Sequence, residues 1–253
     1  GIIIFFVDVT EEIQSEQIRR DFSANVSHEL KTPLTTIKGF GELLENGIFT
    51  KEEDVKKYGG MIYRESERLL YLINDIIRLS QIEEQEHVLS DKIDLLKTAH
   101  DVEEILRHKA DNREVTMTVE GEPVRIYGNQ SYITELFLNL MDNAIKYNRE
   151  GGSLKVTVGA EDGKAVAVFS DTGIGISDEH QSRIFERFYR VDKSRSKQTG
   201  GTGLGLSIVK HIVAYHSGEI QLESELEKGT TITVKLPFNE PETQQAEETA
   251  VTE

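Results

Sequence analysis

The stretch "VSHELKTP", residues 26–33, decides how the first third of the chain is read. It lies inside a segment of helical period running from about Glu11 to Asn46, and it closes on a proline just past His28. At ~100° per residue, Val26, Leu30, Ile37 and Leu44 fall opposite His28, whereas Asp21, Thr32 and Thr35 fall beside it. His28 is therefore expected on the wet face of an amphipathic helix. Pro33 removes a backbone donor and marks a point where that helix can bend. Asn46-Gly47 then reads as a helix stop followed by a turn.

Working outward, a second helix over about Lys51–Glu84 repeats Val55, Ile62, Leu69 and Ile76 at heptad spacing, with Tyr58, Leu72 and Leu79 between them. That is the stripe of a bundle helix. Two helices and a short turn bury too little apolar surface to stand alone, so the pair is expected to dimerise into a four-helix bundle. The alternative is a monomeric hairpin packed on the rest of the chain. "EEQE" at 83–86 reads as a solvated helix end. Upstream, "GIIIFFVDV" at 1–9 reads as a strand with no partner strand nearby. The chain opens on glycine rather than methionine, which makes it an expected fragment of a longer protein.

Past about Gln85 the pattern changes. Strand-like runs at 115–119, 124–128, 154–159, 164–171, 219–224 and 230–237 alternate with helical segments near 97–111, 130–148 and 203–216. This predicts an α/β layer, a helical face over a mixed or antiparallel sheet. Residues 239–253 carry no basic group and read as a disordered acidic tail.

Composition bounds the function. With 253 residues, 37% of them hydrophobic, the chain can build a real core, and a net charge of −16 argues against nucleic acid as a partner. The absence of cysteine excludes disulfides and thiolate metal sites. The apolar run "GIIIFFV" is far short of the ~20 residues a membrane span needs, so no membrane contact is expected of this fragment.

Three stretches of the second half could carry chemistry. In "NLMDNAIKYN" (139–148), Asn139 and Asn143 share one helical face, with Lys146 and Tyr147 one turn on. The pair is either a polar surface or a set of neutral oxygens that complete a magnesium shell without adding to a nucleotide's charge. In "DTGIGI" (171–176), the glycines are either those of a tight turn or, at Gly173 and Gly175, places where a flat ring approaches the backbone while Asp171 accepts from an exocyclic amine. "TGGTGLGLSIVK" (199–210) opens a helix whose N-terminal amides suit phosphate oxygens. Walker and Rossmann spacings are both lacking.

Taken in order, "HELKTP", "NLMDNA", "DTGIGI", "FERFYR" (185–190) and "GTGLGLSIVK" resemble the boxes of the sensor histidine kinases of two-component signalling, over about residues 13–238. The chain looks most like the phosphate-response (PhoR-like) type. The resemblance implies an end of a PAS-like sensor domain or linker at 1–12 and a dimerising phosphotransfer hairpin at 13–86. It also implies a catalytic α/β sandwich at 87–238, of the Bergerat (GHKL) type shared with gyrase, Hsp90 and mismatch-repair ATPases. It implies His28 as phosphoacceptor, Glu29 as the acidic neighbour that takes or orients the ring proton, and Thr32 as an aid to dephosphorylating the partner. Asn143 resembles the magnesium ligand, Asn139 and Lys146 phosphate-side residues, and Tyr147 a contact to the nucleotide. Asp171 resembles the adenine-reading carboxylate, with Gly173 and Gly175 beside it and Thr230 in support. Arg187 and the segment 185–202, with Gly201, Gly203, Leu204 and Gly205, resemble the lid over the triphosphate. Asn148 departs from the serine or threonine usual there.

ATP and Mg2+ are the implied cofactors. The implied partners are a second copy of the chain and a response-regulator receiver domain, and the implied setting is the cytoplasmic part of a membrane-anchored sensor. Two other classes compete: a degenerate kinase kept as a scaffold, which would lack the acceptor and metal residues, and a chaperone-type ATP clamp, which would lack a histidine on a dimeric hairpin. The remaining histidines, 87, 100, 108, 180, 211 and 216, have no ligand spacing and read as ordinary surface or core positions.

Overall fold

The computed structural model describes residues 9–48, 51–84, 89–191 and 201–238. The strand expected at 1–9 lies outside them except for Val9, which precedes the first helix, and the tail at 239–253 lies outside them entirely. The chain forms two compact units. The first comprises Gly1–Ile76 with Gly200–Thr202, the second Ile77–Thr199 with Gly203–Glu253.

The first unit is a helical hairpin of α1 (Thr10–Glu45) and most of α2 (Glu52–Glu84). α1 ends as the Asn-Gly signal requires. Gly47 takes φ +63°, its N–H bonds Leu44 O at 3.1 Å, and Ile48 N–H reaches Leu43 O at 3.2 Å, the paired bonds of a Schellman stop. Phe40 and Tyr58 meet across the hairpin at 5.1 Å between ring centroids. Pro33 lies within α1 and does not end it. It withholds the amide that would pair with Glu29 O, while the neighbouring carbonyls of His28 and Thr32 each gain a threonine hydroxyl donor at 3.2 Å. The heptad stripe of α2 is buried at Leu72, whereas Val55 is exposed, as are Tyr63, Leu70, Tyr71 and Ile73.

The second unit is an α/β layer. Five strands, β2 (Thr116–Gly121), β4 (Ser153–Glu161), β5 (Lys164–Asp171), β7 (Gly229–Pro237) and β6 (Glu219–Glu225), stand in the order β2-β4-β5-β7-β6. The β2–β4 pair is parallel and the rest antiparallel, so the sheet is mixed. A separate antiparallel pair joins β1 (Asp91–Asp94) to β3 (Arg125–Gly128). Helices α3 (Leu95–Asp111), α4 (Gln130–Lys146) and α6 (Gly205–Tyr215) pack against the main sheet, and a short α5 (Asp178–Gln181) follows the β5 loop. β4 shows the expected alternation: Leu154, Val156 and Val158 are buried and the residues between them are not. Phe137 of α4 meets Phe169 of β5 edge-on at 5.0 Å, which seats α4 over the central strand. No helix among the described residues is long and apolar enough to cross a membrane.

His216, just past α6, is fully buried. Asn129 N–H can only donate, at 3.1 Å to Nε2, and Ile212 O can only accept, at 2.8 Å from Nδ1. The ring is thereby fixed as the Nδ1–H tautomer, and Gly128 leaves room for it, since a Cβ there would lie 2.7 Å from Nε2. His216→Ala should leave Asn129 N–H unpaired beside a cavity and cost about 3 kcal/mol of stability, read from urea unfolding followed by circular dichroism.

Candidate functional site

On the hairpin, His28 is exposed, and its ring has no hydrogen-bond partner among the described residues. Thr32, one turn on, donates its hydroxyl to His28 O. Glu29 is engaged across the hairpin: Arg68 of α2, largely buried, donates to its part-buried carboxylate at 3.3 Å. The acidic neighbour is thus anchored across the hairpin rather than to the imidazole.

In the second unit the amide-bearing face of α4 meets the start of α6. Asn139 Nδ2 donates to Glu135 O at 3.0 Å. Its Oδ1 crowds Gly205 so closely that a Cβ there would lie 2.6 Å away. The Asn143 side chain, half-buried, has no hydrogen-bond partner among the described residues, which leaves an amide oxygen able to ligate a hard cation. α6 begins at Gly205 with Leu204, fully buried, at its N-cap and no side-chain cap, so its first amides are not covered by a capping side chain. Gly203 takes φ +78° and accepts from Phe188 N–H at 2.9 Å. Gly201 falls in the segment grouped with the first unit, and 192–200 lie outside the described residues.

Asp171 ends β5. Burial pushes its carboxyl up, and bonds from the backbone N–H groups of Gly173 at 2.8 Å and Thr230 at 3.3 Å, both to Oδ1, pull it down. Oδ2 has no partner among the described residues. The loop is built by close backbone approach. A Cβ on Gly173 would meet Tyr147 O at 2.5 Å, and one on Gly175, at φ +68°, would meet Glu225 O at 2.0 Å. Tyr147 caps α4, is partly exposed, and accepts from Ile174 N–H through its carbonyl at 3.1 Å. Thr230 Oγ1 shares a hydrogen bond with Ser224 Oγ at 2.8 Å.

The hairpin and the α/β unit each contain a stretch that matches a known family. Residues 18–85 match the His Kinase A (phospho-acceptor) domain, and residues 128–240 match the histidine kinase-, DNA gyrase B- and HSP90-like ATPase family. The chain belongs to the sensor histidine kinases. The sensor protein SrrB of Staphylococcus aureus (strain NCTC 8325 / PS 47) is 34% identical over 239 residues, 94% of this chain and 41% of SrrB. The chain therefore spans less than half the length of the curated relatives it matches. Among solved structures, the Acinetobacter baumannii histidine kinase AdeS is 25% identical with a TM-score of 0.69, covering 84% of this chain and 98% of that one. A complex of histidine kinase ThkA with the response regulator protein TrrA is 26% identical with a TM-score of 0.70, covering 93% and 69%. The ATPase domain of this histidine kinase implies use of ATP.

Arg187 engages the end of α2 and a histidine of α6. Its guanidinium contacts the carboxylate of Glu83, and it lies 3.1 Å from His211 Nε2. Glu83 was expected as part of a solvated helix end; it instead meets Arg187 and, at 2.9 Å, His211. A run of carboxylates in sequence carries no sign of a cation brought from about a hundred residues away. The short helix α5, strand β1 and the residues Arg149, Ser224 and Glu227 at the Asp171 loop also went unread.

Lys146, last in α4, is half-buried, with its ammonium 5.2 Å from the Tyr147 ring centre. Burial lowers its pKa to about 8; Asp142 opposes that, and Lys109, Arg190 and Arg113 add to it. Below about 8 both folded and unfolded chains carry this proton, and the cost of burying the charge is fully present. Between about 8 and the ordinary 10.5 the folded state releases its proton first, so this residue's contribution to stability rises with pH. The unfolding free energy of the wild type relative to Lys146→Met should therefore increase from about pH 7 to about pH 10 in paired urea titrations; a flat difference would contradict the assignment.

Proposed function

We propose that the chain is the kinase core of a longer sensor, using ATP to phosphorylate His28 and passing the phosphoryl group to an aspartate of a response-regulator receiver domain. The observation that carries this reading is an exposed, uncommitted imidazole on a helical hairpin that precedes an ATPase-type unit. An imidazole nitrogen of His28 attacks the γ-phosphorus, the bond to the β–γ bridging oxygen breaks, and ADP departs. Glu29 orients the ring or receives its proton once its carboxylate leaves Arg68 for the imidazole.

In the ATPase unit, the Oδ2 of Asp171 accepts the adenine amine, with Gly173 and Gly175 admitting the ring plane and Thr230 supporting the carboxylate. Tyr147 lies against the nucleotide. Asn139, Lys146, Arg187 and the segment Gly201–Gly205, Leu204 included, serve the phosphates. Asn143 would hold Mg2+ by its amide oxygen, and the cation supplies neutralisation of triphosphate charge. For Arg187 this role requires leaving Glu83, a partner the phosphates can replace.

The exposed apolar residues Tyr63, Leu70 and Ile73, which share one face of α2, support dimerisation of the hairpin into a four-helix bundle. The boundaries 13–86 and 87–238 are proposed for the hairpin and catalytic domains. Membership in the phosphate-response type rests on the wording of the boxes, while the curated relatives carry another name. Attachment to a membrane-anchored sensor with its catalytic part in the cytoplasm, and a phosphatase activity in which Thr32 aligns water, extend the same reading.

With γ-labelled ATP and Mg2+, the chain should acquire an acid-labile, alkali-stable label. His28→Ala should abolish the label while ADP binding persists, whereas Asn143→Ala should abolish both; labelling that survives in His28→Ala sinks the acceptor assignment. Thr32→Ala should spare labelling and slow dephosphorylation of a phosphorylated receiver by about tenfold or more. Equal loss of both activities would remove any special role for the hydroxyl.

A further inference from the structure

The α4–β4 turn reaches into the Asp171 loop with a side chain outside the sequence boxes. Arg149 Nε donates to Thr172 O at 2.6 Å, and its Nη2 donates to Glu227 O at 3.1 Å. One guanidinium therefore ties together two segments far apart in sequence, the loop after β5 and the hairpin between β6 and β7. The two amides that hold Asp171 Oδ1 come from the first of these segments, at Gly173, and from the start of β7 just past the second, at Thr230.

The link to Asp171 is direct on the loop side. Thr172 C=O and Gly173 N–H belong to one peptide group, which is planar and resists rotation. The carbonyl is fixed by Arg149 and the amide by Asp171, so a turn of that plane would break both bonds at once. A cation on the carbonyl also polarises the peptide and strengthens its N–H as a donor. On the hairpin side, Glu227 sits at φ +64° and donates its N–H to Ile174 O at 2.7 Å, so Arg149 braces a non-glycine residue in a left-handed turn.

Asn148 holds the arginine in place. Its Nδ2 donates to Ala144 O at 3.1 Å and to Ser153 O at 3.0 Å, while its Oδ1 accepts from Arg149 N–H at 3.1 Å. A serine or threonine hydroxyl, with one proton, could not donate to both carbonyls. The asparagine at this position thus builds the turn from which Arg149 extends.

We infer that Arg149, presented by Asn148, is a positioning residue that sets the orientation of the Asp171 carboxylate and so the selectivity of the pocket for adenine over guanine. This rests on the reading of Asp171 as the adenine acceptor. Arg149 touches no nucleotide in this account; it acts through the Thr172–Gly173 peptide.

The test is calorimetric titration of the whole chain with Mg-ADP and Mg-GDP, for the wild type, Arg149→Ala, Arg149→Lys and Asp171→Asn, with a thermal midpoint for each. Arg149→Ala should weaken ADP binding by about tenfold and narrow the ADP-to-GDP ratio. Arg149→Lys should recover part of both, because one ammonium can serve one carbonyl but does not reproduce the planar fork. A ratio unchanged in Arg149→Ala but collapsed in Asp171→Asn would overturn the inference and leave the adenine reading standing. A lowered midpoint with both nucleotides weakened equally would reduce Arg149 to a structural brace and also overturn it. A ratio unchanged in Asp171→Asn would overturn the adenine reading and the inference with it.

Discussion

The carboxylate of Asp171 is placed where burial works against its charge, and it is held there by two main-chain amides rather than by a cation. That choice has a chemical consequence. An arginine or lysine partner would stabilise the carboxylate more strongly and would also compete for both of its oxygens. Two N–H groups converging on Oδ1 stabilise the anion while Oδ2 keeps its lone pairs for a neutral donor. Amides converge on one oxygen only if backbones come close, so side chains must be missing nearby. Gly229, at φ +124°, shows how close: a Cβ on it would lie 2.0 Å from Asp171 O.

The sheet makes that convergence possible. β5 lies between β4 and β7, and the register pairs Asp171 with Leu154 on one side and Thr230 on the other. The last rung of each ladder therefore delivers one flank of the Asp171 loop. Leu154, fully buried, fixes the height of β4, and the Phe137–Phe169 contact seats α4 above the same strand. With α4 so placed, its C-terminal turn brings Tyr147 O onto Ile174 N–H and carries the chain into the turn of Asn148 and Arg149. The apolar core and the polar loop are one construction: packing aims the helix, and the helix end aims the loop.

Much of this was legible in the sequence, for identifiable reasons. The strand 164–171 matches β5 because alternating β-branched and small residues between a turn and an aspartate have no other good conformation. The stop of α1 was legible because Asn-Gly is a chemical signal for a left-handed C-cap. Strand β1 was missed because Asp91–Asp94 has only Ile93 as an apolar residue and owes its form to pairing with β3, a contact made across the intervening α3. Arg149 was missed for a related reason. An arginine in a Gly-rich turn looks like solvent-facing charge until Thr172 and Glu227, respectively 23 and 78 residues further on, are brought to it. Asn148 did leave a trace as a departure from the usual residue, and the structure gives that departure a purpose.

The hairpin handles its functional residue in the opposite manner. The Asp171 carboxylate is fixed by amides from two segments of the chain, whereas the His28 ring is bound by nothing among the described residues. Its neighbour in sequence, Glu29, is drawn off to Arg68. Even the threonine one turn away spends its proton on His28 O rather than on the ring. Under the proposed chemistry this contrast is what the two sites require. A pocket that must recognise one base gains from rigidity, since an oriented acceptor loses little entropy on binding. An imidazole that must meet ATP at one moment and a receiver at another would be hindered by a permanent partner, because each visitor would first have to break that bond. Leaving the ring uncommitted at rest means that its orientation is set only as each surface arrives.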